Sequence, residues 1–408
     1  MINLTVLFLC RSILGNFYGH ISFKSVMKKK ILNYFTLSVE TLKRDYSSLR
    51  EIFRNKNVSF KKQGIRYKEK RFKEMFTLHP DKIFYEPAVL DFELGRQLKE
   101  KFGSVPWLPI ENHNNIEQLR NNPNQAFAKM KRHLIIGVRK SLNYTPNRKV
   151  SDFLVPYTSS GCSAMCLYCY LVCNYNKCSY LRLFVNREQM MAKLLKTASR
   201  SEKDIVFEIG SNSDLVLENT ITGNLEWTIE RFSKSEKSYL TFPTKFDMVE
   251  PILPLDHRGR IIMRMSVNPE EIIRKIEFGT ASLKARIGAI NRMCDAGYQV
   301  GMLIAPVVLT ENWMKLYEDL IEQLAAELTP KVKEQLFIEI IFMTYSFVHR
   351  AINKDAFPNA VELFDKSLMT GRGRGKYCYR EDVRAMGEQF LRKQLSKKLN
   401  RVPIIYVV

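Results

Sequence analysis

From residue 83 onward the chain alternates two hydrophobic patterns. Short apolar runs of strand length fall at 153–157, 204–208, 239–242, 260–267, 300–308 and 336–342. Between them, 187–198, 225–232, 283–296 and 313–328 carry apolar positions at the three-to-four-residue spacing of an amphipathic helix. Strands separated by helices of this length connect as right-handed βαβ units and pair in parallel. Six units predict an α/β fold, a partial (β/α)6 barrel of the TIM type, with its chemistry at the C-terminal ends of the strands. A further apolar run at 133–138 has the character of a buried strand. The Asn-rich stretch 112–125, interrupted by Pro123, predicts a loop.

Ahead of this pattern the character changes. Residues 28–76 are basic and helix-prone, with few turn signals before Thr77-Leu78-His79-Pro80. Residues 1–75 hold 17 Lys and Arg against 5 Asp and Glu, so they supply over half of the net charge of +22. A field of that sign attracts polyanions, nucleic acid above all. The pattern divides the chain into a basic N-terminal extension (1–78), a first part of the compact region (79–150), the barrel (151–345) and a C-terminal region (346–408). The apolar opening from Ile2 to Cys10 is too short to span a bilayer, and Met27 before three lysines is an alternative start. No later segment reaches 18 uninterrupted apolar residues, so a cytoplasmic protein without stable membrane association is expected.

Eight cysteines are present, five of them between Cys162 and Cys178. Such a cluster in a long chain points to metal ligation in a reducing compartment rather than to a disulfide framework. Directly after the predicted strand at 153–157 stands Cys162-Ser163-Ala164-Met165-Cys166-Leu167-Tyr168-Cys169, a CxxxCxxC motif. Three thiolates hold three irons of a [4Fe-4S] cubane and leave the fourth iron open. That iron can take the amino and carboxylate groups of S-adenosyl-L-methionine, whose reductive cleavage gives a radical able to attack C–H bonds. Two other readings stay open: small core residues on one helix face, since Cys162, Cys166, Cys169 and Cys173 follow helical offsets, and a zinc site completed by Cys173 or Cys178. Tyr168 and Tyr170 flank the last motif cysteine, either packing the loop or serving the chemistry.

The motif, with Tyr180-Leu181-Arg182-Leu183-Phe184-Val185-Asn186 after it, resembles the spore photoproduct lyase family of radical S-adenosylmethionine enzymes. Blocks at 134–140, Phe207-Glu208 with Ser213-Asp214, Thr244-Lys245-Phe246, 265–270, 296–298, 304–306 and 375–379 extend the resemblance from about residue 83 to the C-terminus. The resemblance implies cluster ligation by Cys162, Cys166 and Cys169, and contacts to S-adenosyl-L-methionine from Ser213, Lys245, Ser266 and Asn268. It implies a lyase that repairs DNA by reversing the methylene-bridged thymine dimer through hydrogen abstraction, flipping the lesion with help from a hairpin around Gly371 to Tyr379. A flavodoxin or ferredoxin would supply the electron. Two positions depart from the family pattern. Ser211 stands where the family has its hydrogen-donating cysteine, and Met343-Thr344 where it has His-Arg, with His349-Arg350 shifted nearby. A hydroxyl is a poor hydrogen-atom donor, so the sequence nominates Cys378, then Cys173, as substitute thiols. A paralogue acting on another substrate is the alternative.

Overall fold

The apolar runs pair into two sheets in a computed structural model that describes residues 79–174 and 179–408. In chain order the strands of three residues or more are β1 (Lys82–Tyr85), β2 (Trp107–Pro109), β3 (His133–Gly137), β4 (Phe153–Val155), β5 (Leu181–Phe184), β6 (Val206–Ile209) and β7 (Tyr239–Thr244). There follow β8 (Ile261–Val267), β9 (Gln299–Val307), β10 (Phe337–Phe342), β11 (Thr344–Ser346), β12 (Met369–Gly371), β13 (Lys376–Tyr379) and β14 (Ile404–Val407). The helices that concern the site are α1 (Arg187–Ser199), α2 (Leu215–Thr222), α3 (Asn224–Phe232), α4 (Glu270–Ile276), α5 (Leu283–Asp295), α6 (Trp313–Glu327), α7 (Phe347–Ala356) and α8 (Glu381–Lys398).

The larger sheet lines up β4, β6, β7, β8, β9, β10 and β14 in chain order, these seven all parallel, with Thr145–Pro146 added antiparallel on β4. It is the partial barrel that the six-unit pattern predicts, extended by β14, which that pattern omits. β8 is buried along its whole length, as a central strand covered on both faces must be. Local chemistry sets the helix ends. Asp214 accepts from the Val216 and Leu217 amides to start α2, Gly223 in the left-handed region ends it, and the Ser282 hydroxyl accepts from Ala285 N to start α5.

The second sheet has the order β2, β1, β3, β5, with Ser159–Ser160 antiparallel on β5. Its side chains alternate between two cores. Ile83, Leu134, Ile136, Leu181 and Leu183 pack on one face, while Phe84, Ile135 and Tyr180 pack on the other. β5 is the consequential member, because the chain leaves the barrel edge, makes the cysteine loop and returns into the other sheet. The loop is thereby pinned at both ends. The stretch 112–125 is not wholly loop, since it holds the short helix Glu117–Arg120 and the start of a 3-10 turn at Asn124–Ala126. Residues 1–78, with the basic extension and the apolar opening, and Cys178 lie outside the described residues.

Candidate active site

The cysteine loop is held by four other parts of the chain. Gly161 sits at φ +81°, and a Cβ there would lie 1.9 Å from the Tyr180 carbonyl oxygen, so only glycine passes. Gly161 N donates to Asn212 O at 2.7 Å, and Lys131 Nζ donates to the carbonyls of Cys162 and Ser179 at 2.7 and 3.2 Å. Met165–Cys166 pairs antiparallel with Glu277–Phe278, and Asn353 Nδ2 donates to Leu167 O at 2.8 Å. The segment 162–169 is extended and turned, not helical, which removes the reading of one apolar helix face.

Cys162, Cys166 and Cys169 line one wall of a cavity of about 460 Å³. Burial pushes the Cys162 thiol up to about 12 and raises those of Cys166 and Cys169, so thiolates form here only when a metal draws them out. Among the described residues no three His, Cys, Asp or Glu are gathered at single-ion spacing. Cys173 Sγ faces away, 3.3 Å from Ser346 Oγ and 3.8 Å from His349 Nε2. The donor set fits a cluster with one open iron.

Strand ends supply the lining next to the cysteines. Ser213, Lys245 and Ser266 follow β6, follow β7 and end β8 respectively, and all three line the cavity. Lys245 Nζ donates to Ser266 Oγ at 2.7 Å, Glu277 Oε1 at 2.9 Å and Ala305 O at 2.9 Å. Glu277 is the hub beneath, and the sequence did not single it out. It accepts from Tyr168 OH, from Asn268 Nδ2 at 2.8 Å and from Arg286 Nη2 at 2.6 Å. Burial alone would raise its carboxyl, but Lys245 and Arg286 beside it hold it well below the usual carboxylate range. Asn268 is fully buried in this network and also receives Tyr317 OH at 3.1 Å, so it braces the wall rather than lining it.

A second buried network underlies a separate part of the lining. Arg264 donates to Glu339 at 3.0 Å and approaches Glu208 Oε2 at 2.7 Å, while Tyr406 OH donates to Glu339. Ser211 Oγ donates to Glu208 Oε1 at 3.0 Å, and Tyr170 OH donates to Ser211 O at 2.6 Å. Met343 and Thr344 line the cavity beside them, but His349 and Arg350 do not. His349 is buried against Ser346, and Arg350 pairs with Glu362 at 3.1 Å. Neither substitute thiol reaches the cavity wall. Cys378 lies on β13, one strand behind its cross-strand partner Thr344. Arg264 and Glu339 were missed by sequence reasoning, although a lone charge inside an apolar strand is a readable signal of a buried pair.

A family model described as spore photoproduct lyase matches residues 78–408. The chain belongs to the spore photoproduct lyase family. The spore photoproduct lyase of Bacillus subtilis (strain 168) is 31% identical over 330 residues, 79% of this chain and 95% of that protein. That of Clostridium acetobutylicum is 30% identical over 339 residues, 80% and 98% of the two chains. Among solved structures, a substituted spore photoproduct lyase with AdoMet and dinucleoside spore photoproduct bound superposes with a TM-score of 0.75 at 26% identity, covering 81% of this chain and 99% of that one. Another with dinucleoside spore photoproduct gives the same TM-score and identity. These matches leave the residues before 78 unmatched by the family model. Among the described residues no helix is long and apolar enough to cross a membrane.

Proposed function

We propose that the chain is a radical lyase that reverses the methylene-bridged thymine dimer, 5-thyminyl-5,6-dihydrothymine, in DNA. The observation that carries this reading is that one cavity is lined both by the three motif cysteines and by Ser213, Lys245 and Ser266 at the C-terminal ends of the barrel strands. Cys162, Cys166 and Cys169 hold the [4Fe-4S] cluster, and Lys245 with Ser213 and Ser266 receives S-adenosyl-L-methionine, the lysine neutralising its carboxylate. Bound there, the two would supply a 5′-deoxyadenosyl radical for hydrogen abstraction from the saturated thymine ring, and the thymine radical left when the inter-thymine bond breaks must take a hydrogen back. Glu277 keeps Lys245 aimed, and Asn268 braces Glu277. Tyr168, pinned through its hydroxyl to Glu277, and Tyr170, half exposed over Ser211, line the cavity beside the motif cysteines and are assigned to hydrogen-atom transfer.

The cavity mouth is bordered on two sides by basic loops. Lys149 and Asn147 line it beside exposed Arg148, and Thr344 lines it in front of the β12–β13 hairpin with exposed Arg372, Arg374 and Lys376. Such a mouth suits a strand of DNA whose damaged pair is turned inward. A cytoplasmic flavodoxin or ferredoxin supplies the electron. Anaerobic turnover of a dinucleoside spore photoproduct with S-adenosyl-L-methionine and dithionite tests the proposal, and the expected product is free of the methylene bridge. Cofactor cleavage without loss of the photoproduct would favour a paralogue with another substrate.

A further inference from the structure

Phe347 is the most exposed large apolar side chain among the described residues at 57%, and its neighbour Val348 is 41% exposed. An isolated surface phenylalanine carries no meaning. This one is built into position. The Ser346 hydroxyl caps α7 directly before it, and Phe347 N donates to Gly375 O at 3.1 Å across the hairpin tip. Its ring stands edge-on to Tyr377 at 5.2 Å and 87°. Gly375 lies at φ +68°, and a Cβ there would come within 2.8 Å of the Phe347 ring, so the tip is fitted closely around it. The ring therefore projects in one fixed direction, and its exposure is not that of a loose loop.

Its surroundings are cationic. Residues 369–379 carry Arg372, Arg374 and Lys376 and no acidic residue, and all three cations are exposed. Phe347 follows the cavity-lining Thr344 by three residues, roughly 10 Å of extended chain. A rigid apolar tip among cations, a short step from a cavity, matches the chemistry of a side chain that enters a base stack while its neighbours hold phosphates.

We infer that Phe347 is a wedge that fills the duplex beside the extruded thymine pair, with Arg372, Arg374 and Lys376 on the flanking phosphates. The inference rests on the DNA-lesion reading above. A dinucleoside has no stack to enter, so the wedge acts only on duplex substrate. Phe347→Ala, melting as the wild type does because the ring is exposed, is expected to turn over the dinucleoside photoproduct normally. It should bind a duplex carrying one photoproduct roughly ten- to hundredfold more weakly, the range expected for losing one aromatic stack. It should also lose the rise in emission from a 2-aminopurine placed beside the lesion, and Phe347→Trp should restore both. Duplex affinity equal to wild type overturns the wedge, as does an equal loss on the dinucleoside, which would place Phe347 in the lesion pocket or in the fold. In both cases the wild type remains active. A wild type inert on dinucleoside and duplex alike instead brings down the lesion reading, and the wedge with it.

Discussion

The wall proposed for the cofactor and the wall proposed for the lesion are built on different terms. On the first, Glu277 binds Lys245, Asn268, Tyr168 and Arg286 together below the cavity, and the cysteine loop is clamped from four directions. On the second, the exposed Thr344 and the hairpin cations meet solvent, and Ser211 makes a single side-chain bond to Glu208. Removing one member of a buried charge network leaves its partners uncompensated, whereas a rim substitution costs little. Folding therefore guards the cofactor wall together with the chemistry, whereas on the lesion wall it guards the buried Arg264–Glu339–Glu208 network and leaves the exposed rim and Ser211 to chemistry alone. Both departures from the family pattern, Ser211 and Met343-Thr344, fall on the second.

The sharpest way to break this contrast is at the cysteines. Alanine at Cys162, Cys166 or Cys169 should abolish the cluster, read as loss of about four irons per chain after anaerobic reconstitution. Cys173→Ala should keep it, since Cys173 faces Ser346 and His349, and Cys178→Ala should keep it as well. Iron loss from Cys173→Ala or Cys178→Ala would dissolve the boundary between the ligand loop and its surroundings.

Next in size is the hub. Glu277→Gln leaves Lys245 and Arg286 in place with no carboxylate between them and should destabilise the fold by about 3–5 kcal/mol in denaturant titration. Because the folded carboxyl lies below its ordinary value of 4.5, ionised Glu277 stabilises the fold fully above that pH. Its contribution drains as the pH falls further, so the gap between wild type and variant should narrow below about pH 4.5. A gap constant with pH would mean that shape, not charge, holds the wall. Lys245→Met should cost less, about ten- to hundredfold in S-adenosyl-L-methionine affinity measured by calorimetry on cluster-loaded protein. Unchanged affinity would remove Lys245 from the cofactor wall.

The two walls were also unequally legible. The barrel strands announced themselves as apolar runs, and each strand predicted from 153 to 342 is found in the barrel sheet. β14 went unread, although Ile404, Ile405 and Val407 form a β-branched run, because a short run after a long helix resembles a tail. The motif cysteines, Lys245 and Ser266 carried spacing or family signals. Glu277 carried neither, since a glutamate between an apolar helix and a glycine looks like any surface residue until tertiary packing encloses it. Cys378 shows the converse: its block was conspicuous, but strand alternation and pairing, which a linear pattern does not supply, set it behind Thr344.

A smaller effect concerns charge far from either wall. Residues 1–75 carry most of the basic excess, and deleting residues 1–78 should flatten the dependence of DNA affinity on salt by at least about one logarithmic unit per decade while cofactor cleavage continues. An unchanged slope would confine DNA contact to the basic loops at the cavity mouth.

The finest test lies at Ser211, where the lesion wall departs most from its family. A carbon-centred thymine radical is quenched by a weak X–H bond, and a thiol provides one far better than a hydroxyl. The Ser211 hydroxyl is further occupied, donating to Glu208 at 3.0 Å. Among the described residues neither nominated thiol substitutes at the wall, because Cys173 turns to His349 and Cys378 stands behind Thr344. The nearest phenol is Tyr170, whose hydroxyl reaches the Ser211 carbonyl at 2.6 Å. Replacing one oxygen by sulfur at a cavity-lining position disturbs little packing, so Ser211→Cys should leave S-adenosyl-L-methionine cleavage unchanged. It should raise the fraction of photoproduct returned as thymine severalfold, at the expense of adducts of the unquenched radical, as read by chromatography of the dinucleoside products. Cys378→Ala should leave that distribution as in wild type, and a shift there would move the donor to the hairpin. If Ser211→Cys yields no more thymine than the wild type, hydrogen return does not limit the outcome at this wall, and the contrast between a guarded cofactor side and a free lesion side loses its chemical half.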